Sequence, residues 1–430
     1  MGSTWLFTAA VATAFTLSLA GCTSPASSPT GPGAATAPAP SAGTGPCIAD
    51  PAAVIARTLP AAATGELPAA TADALDKAAT EGLAQAPVAG AIVGVRSPQG
   101  TFIKAYGLAD KATNTPMTAQ MYQRIGSVTK TFTGTLILQL VQQGVLSLDD
   151  PVSRHLDGVP RGDDITIRML LNMTSGIASY SMDPEFQRVL FSEPTKEWTP
   201  DELIAIGLKL PRPFEPGARF DYSNTNTILL GKIIERRSGM TYTQALQDRI
   251  IGPLGLTGTS MPGPGGAQPD PHATGVTLQG LPDGATTPQD ATNWSPSWGW
   301  SAGAIISTAS DLLTYGRALG TGQGLLRADI QTERLNFPNG PGYGLGVGCI
   351  DGWYGHTGEL PGYNTTLYYD TRSDTTVTVM VNSDIASGDC SESPTLPDNP
   401  KNLPCLDPAV RIFVPVSAAL GHQFTPNPKS

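Results

Sequence analysis

Ser127-Val128-Thr129-Lys130 opens an apolar run with helical spacing that closes on Gly144. Residues three apart on a helix share a face, so the Ser127 hydroxyl and the Lys130 amine meet. A serine hydroxyl is a weak nucleophile until a neighbouring base takes its proton. A lysine does this only where burial keeps part of its amine neutral. A helix start also leaves backbone N–H groups free beside Ser127. Tyr222-Ser223-Asn224 adds a phenol that relays a proton if nearby cations lower its pKa. It also adds an amide side chain with both a donor and an acceptor for an amide substrate. His356-Thr357-Gly358 follows a predicted strand with Gly342, Gly344, Gly346 and Gly348 on one face, where another layer approaches closely. Taken singly, these segments read as an N-capping Ser with a surface Lys, a loop with an Asn cap, and a structural His. Taken together they shift the balance toward nucleophilic chemistry at a serine.

A competing motif is Gly299-Trp300-Ser301-Ala302-Gly303, a GxSxG match that would make Ser301 the nucleophile with His356 or His422 as base. That elbow needs a buried strand directly before it, and Asn-Trp-Ser-Pro-Ser-Trp over 293–298 is not one. No HGGG-type segment precedes it. The match reads as a turn leading into the helix at Thr308.

The order and spacing of the three motifs resemble the penicillin-recognising serine hydrolases: DD-peptidases, class C β-lactamases and related esterases. Other members carry SxxK, SDN and KTG; here the second element is YSN and the third begins with His. The likeness extends to Ile125-Gly126 before the nucleophile and to Leu170-Leu171-Asn172-Met173-Thr174-Ser175-Gly176-Ile177, with Asn172 and Met173 replacing the usual Thr and His. It also includes Ser301-Ala302-Gly303 and Tyr354-Gly355-His356-Thr357-Gly358 with Pro361-Gly362-Tyr363. It covers roughly 72–382 and is strongest toward actinobacterial D-alanyl-D-alanine carboxypeptidases.

The resemblance implies that Ser127 forms an acyl-enzyme and that Lys130 and Tyr222 share the proton work. It implies that Asn224 orients the acyl amide, that the N–H groups of Ser127 and Glu359 receive the oxyanion, and that Thr357, beside Gly358, bonds a substrate carboxylate. His356 stands where many relatives carry Lys or Arg. An ordinary His is largely neutral at pH 7 and anchors a carboxylate weakly unless its site raises its pKa. The implied substrate is a peptidoglycan stem peptide or another small acyl compound, with β-lactam antibiotics as ligands. The alternatives are an esterase, a weak β-lactamase, or a non-catalytic penicillin-binding envelope protein. No cofactor is implied.

Around these motifs the chain must build a scaffold. Helices are expected over 72–86, 127–144, 166–172, 225–238, 308–316 (with Thr308 and Asp311 as a capping box) and 406–420. A hairpin is expected over 90–96 and 101–107, and strands over 343–350, 365–370 and 375–382. Strands near both chain ends with helices between them suit an α+β fold: one antiparallel sheet built from both ends, flanked by helices, with a mostly helical insertion over about 145–300. A doubly wound parallel sheet would need regular βα alternation.

Of the 430 residues, 40% are hydrophobic and 14% charged, enough apolar material for a sizeable core. A net charge of −10 argues against non-specific nucleic-acid binding. With four His, no HExxH and no CxxC, a multi-ligand metal site is not expected.

The first charged side chain is Asp50. An apolar run to Ala20 ends in Leu19-Ala20-Gly21-Cys22, which reads as an export signal over 1–21 and resembles a lipobox with Cys22 as the lipidated residue. Met1 to Thr4 lacks the usual basic residue. Residues 22–46, rich in Ser, Pro, Thr, Gly and Ala, read as a tether. The expected address is the outer face of the cytoplasmic membrane. After a lead-in over 47–71, the hydrolase domain is expected over 72–425. Cys47, Cys349, Cys390 and Cys405 form an even set in an exported chain. Three pairings are open, with a local Cys390–Cys405 bridge preferred.

Overall fold

A computed structural model describes residues 46–61, 65–337, 342–391 and 393–429. The expected signal, Cys22 and the tether up to residue 45 lie outside them.

The strands Gly90–Ser97 (β1), Gly100–Asp110 (β2), Thr115–Pro116 (β3), Gly342–Tyr343 (β4), Gly348–Ile350 (β5), Trp353–Leu360 (β6), Tyr363–Asp370 (β7) and Thr375–Val381 (β8) form one sheet. Its order is β3-β2-β1-β8-β7-β6-β5-β4. Every pairing is antiparallel, and β1 lies beside β8, so both ends of the chain build the sheet. The α+β architecture is the one the order of elements led us to expect.

Period-two patterning sets the faces. Ala91, Val93 and Val95 of β1 sit opposite Val381, Val379 and Val377 of β8. They pack into a core with Leu75 of Ala69–Leu83 (α1) and Phe413 of Pro408–Ala419 (α5). Ile92 and Met380 turn the other way, into the larger core around Thr129–Gln142 (α2). In α2 every residue from Thr129 to Leu140 is buried, the mark of a helix inside a core rather than on its surface. Between α2 and the last strands run short helices, then Asn224–Ser238 (α3), which ends on left-handed Gly239, and Ala309–Thr321 (α4).

Three local expectations change. The strand expected over 343–350 is a tight hairpin of β4 and β5: Gly346 takes φ +72° and turns the chain, so the alternate glycines do not share one strand face. His356-Thr357-Gly358 follows β5 as expected but itself lies inside a further strand, β6, whose two internal glycines weaken the strand pattern. Thr308 caps α4 by accepting from Asp311 N, but the box is not reciprocal: the Asp311 carboxylate instead accepts from Gly258 N and Thr259 Oγ1. Disulfides join Cys47 to Cys349 and Cys390 to Cys405.

Candidate active site

Ser127 sits in the 3-10 turn Gly126–Val128, which feeds straight into α2, and Lys130 lies on the first turn of that helix. Their spacing brings Lys130 Nζ to 2.8 Å from Ser127 Oγ. The same amine donates to the Ala302 carbonyl at 2.8 Å. Lys130 is 1% exposed, and burial drives its pKa well below the ordinary lysine value. No carboxylate within hydrogen-bond reach, among the described residues, holds the charge on. A neutral amine has two N–H groups and one lone pair. With the Ala302 carbonyl occupying a donor, the lone pair is free to accept the Ser127 proton.

β6 passes against the Ser127 turn at van der Waals distance. Gly126 takes φ +53°, and a Cβ there would lie 2.5 Å from Glu359 N. A Cβ on Gly358 would lie 1.9 Å from Ile125 O and 2.9 Å from Ser127 N. Two glycines thus let the backbones of Ser127 and Glu359 come side by side. β5 pairs only with Trp353 to Gly355, so β6 from His356 onward has no strand on that edge. The hairpin closes at the pair Leu360 and Tyr363. By the alternation of an antiparallel ladder, the Glu359 N–H then points away from β7, toward the open edge. Asn364 fixes this stretch, donating to Gly358 O at 3.1 Å while its Oδ1 accepts from Ala409 N of α5 at 3.0 Å.

Tyr222 and Asn224 come from the start of α3. The Lys130 amine stands 4.9 Å from the centre of the Tyr222 ring. Tyr222 is 36% exposed along the cleft, and its hydroxyl end lies at Ser127. Desolvation of its hydroxyl end, with help from the Glu359 charge, pushes this phenol above its ordinary range. The condition set out from the sequence, a phenol lowered by nearby cations, is not met at Tyr222. A phenol that keeps its proton can donate a hydrogen bond, and the buried amine of Lys130 is the more basic neighbour of Ser127. Asn224 is held by two serines: its N–H donates to Ser179 Oγ and its Nδ2 to Ser181 Oγ, each at 3.0 Å.

His356 is 6% exposed. Its Nδ1 bonds the Thr357 carbonyl, which only accepts, so that nitrogen carries the proton. Its Nε2 then accepts from Tyr343 Oη at 3.0 Å. Burial, the largest cause, lowers its pKa to about 3. The site does not raise the His356 pKa; it keeps the ring neutral at physiological pH.

The cleft in front of Tyr222, His356 and Thr357 has a volume of about 680 Å³ and is walled by Phe220, Tyr343 and Ile350. Among its described lining residues one is a cation, Arg219, whose side chain is 57% exposed and 3.8 Å from Asp221. Ser301 is elsewhere: it is fully buried and donates to Thr227 O at 2.9 Å. His422 stacks on Trp353 in the core beneath α5. The GxSxG match is therefore packing. Among the described residues no group of three or more His, Cys, Asp or Glu is placed to hold a metal ion.

Sequence reasoning passed over Tyr343, Ser179, Ser181 and the Ala302 carbonyl. Only Ala302 carried a signal, through its place in the Ser301-Ala302-Gly303 segment.

The Beta-lactamase family model matches residues 75–393. The chain is 30% identical over 310 residues to "Putative penicillin-binding protein PbpX" of Bacillus subtilis (strain 168), spanning 70% of this chain and 72% of that protein. Among solved structures it is similar to a D-stereospecific amidohydrolase from Streptomyces sp., with 34% identity, TM-score 0.66, and 73% of this chain and 94% of the other covered. It is also similar to a D-amino acid amidase from Ochrobactrum anthropi SV3 complexed with L-phenylalanine amide, with 26% identity, TM-score 0.68, and coverage of 82% and 99%.

Proposed function

The chain belongs to the beta-lactamase family, a family of serine acyl hydrolases, and we propose that it cleaves amides or esters of D-amino-acyl groups through an acyl-enzyme on Ser127. The observation that carries this reading is a buried lysine amine, unpaired with any carboxylate, 2.8 Å from a serine hydroxyl. Lys130 takes the Ser127 proton as Oγ attacks the carbonyl carbon. The N–H groups of Ser127 and Glu359 hold the developing oxyanion. The Lys130–Tyr222 pair returns a proton to the leaving nitrogen or oxygen, and the C–N or C–O bond breaks. Water then attacks the ester by the reverse route, releasing the acid and free Ser127. Asn224 orients the acyl amide from its two-serine clamp.

The leaving-group side of the cleft supports an uncharged end. His356 is neutral and Arg219 lies at the rim, so a substrate carboxylate buried beside Thr357 would lack a partner and cost several kcal/mol. The likeness to a D-stereospecific amidohydrolase and to a D-amino acid amidase supports the same choice. The second reading is a D-alanyl-D-alanine carboxypeptidase acting on peptidoglycan stem peptides. Thr357 at the cleft, with Arg219 as the sole described cation along it, supports that reading.

Benzylpenicillin and p-nitrophenyl acetate are expected to add their acyl mass to the intact chain, with the adduct mapped to Ser127 and lost in Ser127→Ala. No adduct from either reagent would sink the acyl-enzyme. A diacetyl-Lys-D-Ala-D-Ala peptide and its C-terminal carboxamide then separate the two readings. The carboxamide is expected to turn over at least about tenfold faster. The opposite order would favour the carboxypeptidase.

We place this activity outside the cytoplasmic membrane, anchored at Cys22, on the strength of the lipobox-like segment and the tether that follows it. Fractionation is expected to find the protein in membranes and a Cys22→Ala variant in the soluble fraction. Equal partition of the two would remove the anchor.

A further inference from the structure

The chain after α5 turns back beneath the sheet. Phe424 is buried against Phe413 and Tyr368, and Thr425 N donates to Asp351 Oδ2 at 2.8 Å. Lys429 N donates to Cys405 O at 2.9 Å. This route delivers the Lys429 ammonium to the side of β6 that faces away from Ser127. There it lies 2.8 Å from Glu359 Oε2 and pairs with Asp407, the N-cap of α5.

Three carboxylates meet at this spot: Glu359 on β6, Asp384 just after β8, and Asp407. Gln279 bridges two of them, reaching Asp384 Oδ2 at 2.6 Å and Glu359 Oε1 at 3.3 Å. Thr277 Oγ1 also donates to Asp384 Oδ2, while the buried Asp384 Oδ1 has no partner. Among the described residues Lys429 is the one cation bonded to the group.

We propose that Lys429 is a positioning residue for acylation: its ammonium neutralises Glu359 from behind β6 and so fixes the Glu359 N–H that receives the oxyanion. The proposal goes beyond the reading of Ser127 above and uses its acyl-enzyme as one of two readouts.

Two electrostatic effects make the charge, not only the contact, matter. Burial and then the Glu359 charge raise Asp384 to about 7 and Asp407 to about 6. The Glu359 charge also helps push Tyr222 up. An uncompensated Glu359 would therefore act both on the strand and on the catalytic phenol. Without Lys429, the carboxylates of Glu359, Asp384 and Asp407 repel one another at alkaline pH. They relax at acid pH as Asp384 and Asp407 take up protons.

The test compares Lys429→Met, which keeps the stem and loses the charge, with Lys429→Arg, which keeps the charge. Lys429→Met is expected to acylate with p-nitrophenyl acetate about tenfold more slowly than wild type near pH 8, with KM little changed. The deficit should shrink to about twofold or less near pH 5. Lys429→Arg should stay within about twofold throughout. The second readout is hydrogen exchange of the backbone amides over 356–360, expected to quicken in Lys429→Met and not in Lys429→Arg. A deficit independent of pH, no deficit, or unchanged exchange over 356–360 would overturn the proposal. A wild type that makes no acyl-enzyme would instead count against the Ser127 reading, and the exchange comparison alone would then decide for or against Lys429.

Discussion

Lys130→Met is expected to slow acylation of Ser127 by about 10³-fold and, at the same time, to make the protein more stable at neutral pH. The first effect is the loss of the general base, whose removal ordinarily costs about 10²–10⁴ in rate. The second follows from linkage. Lys130 is buried with a pKa well below the ordinary value of 10.5, so between those two values the unfolded chain binds a proton that the folded chain does not. Stability therefore rises with pH across that interval and is lowest below it, where the folded protein must bury the charge. Methionine fills nearly the same space without a charge, which removes both the penalty and the slope. Stopped-flow acylation with p-nitrophenyl acetate, beside thermal melts over a pH series from 6 to 10, reads both effects. The wild-type rate should climb with pH as Lys130 loses its proton. If Lys130→Met keeps a rate within about tenfold of wild type, the base is elsewhere, and Tyr222 is the remaining candidate.

The residues that carry this chemistry were legible because their geometry is local. Ser127 and Lys130 meet through helix periodicity alone, and a chain that continues as a fully buried helix must bury Lys130 with it. The cross-strand core was legible for a similar reason: alternation over Ala91, Val93 and Val95 and over Val377, Val379 and Val381 needs only a period of two. What the sequence did not carry were contacts between distant segments. Tyr343 reaches His356 because Gly346 turns β4 back along β5, and a string of alternate glycines reads as a strand face until the chain is seen to fold there. Ser179 and Ser181 hold Asn224 across 45 and 43 residues of chain, from a segment with no motif of its own to point to them. The Tyr222 pKa depends on burial and on Glu359, neither of which is encoded near Tyr222. Ser301 shows the opposite error available to motif reading: a correct pattern whose hydroxyl is spent on a helix carbonyl.

Gly358→Ala is expected to lower kcat by about 10²–10³-fold, the range for losing one oxyanion donor, with a much smaller change in KM. The reasoning is steric. The new methyl would lie 1.9 Å from Ile125 O and 2.9 Å from Ser127 N, both backbone atoms in a turn enclosed by the core. Neither can swing aside as a side-chain tip would, so β6 must lift. Its next residue is Glu359, whose N–H then leaves the oxyanion position, while Ser127 and Lys130 stay where their turn and α2 hold them. The hydrogen bond from Asn364 to the Gly358 carbonyl resists the lift. Part of the cost therefore appears as lower stability, and circular dichroism should still report a folded sheet. Gly65→Ala supplies the comparison, since a methyl there meets none of the described residues within 4 Å and should leave turnover within about twofold of wild type. A folded Gly358→Ala protein that acylates at the wild-type rate would show that the Glu359 N–H does not serve the oxyanion. The close approach of β6 to Ser127 would then be packing rather than catalysis.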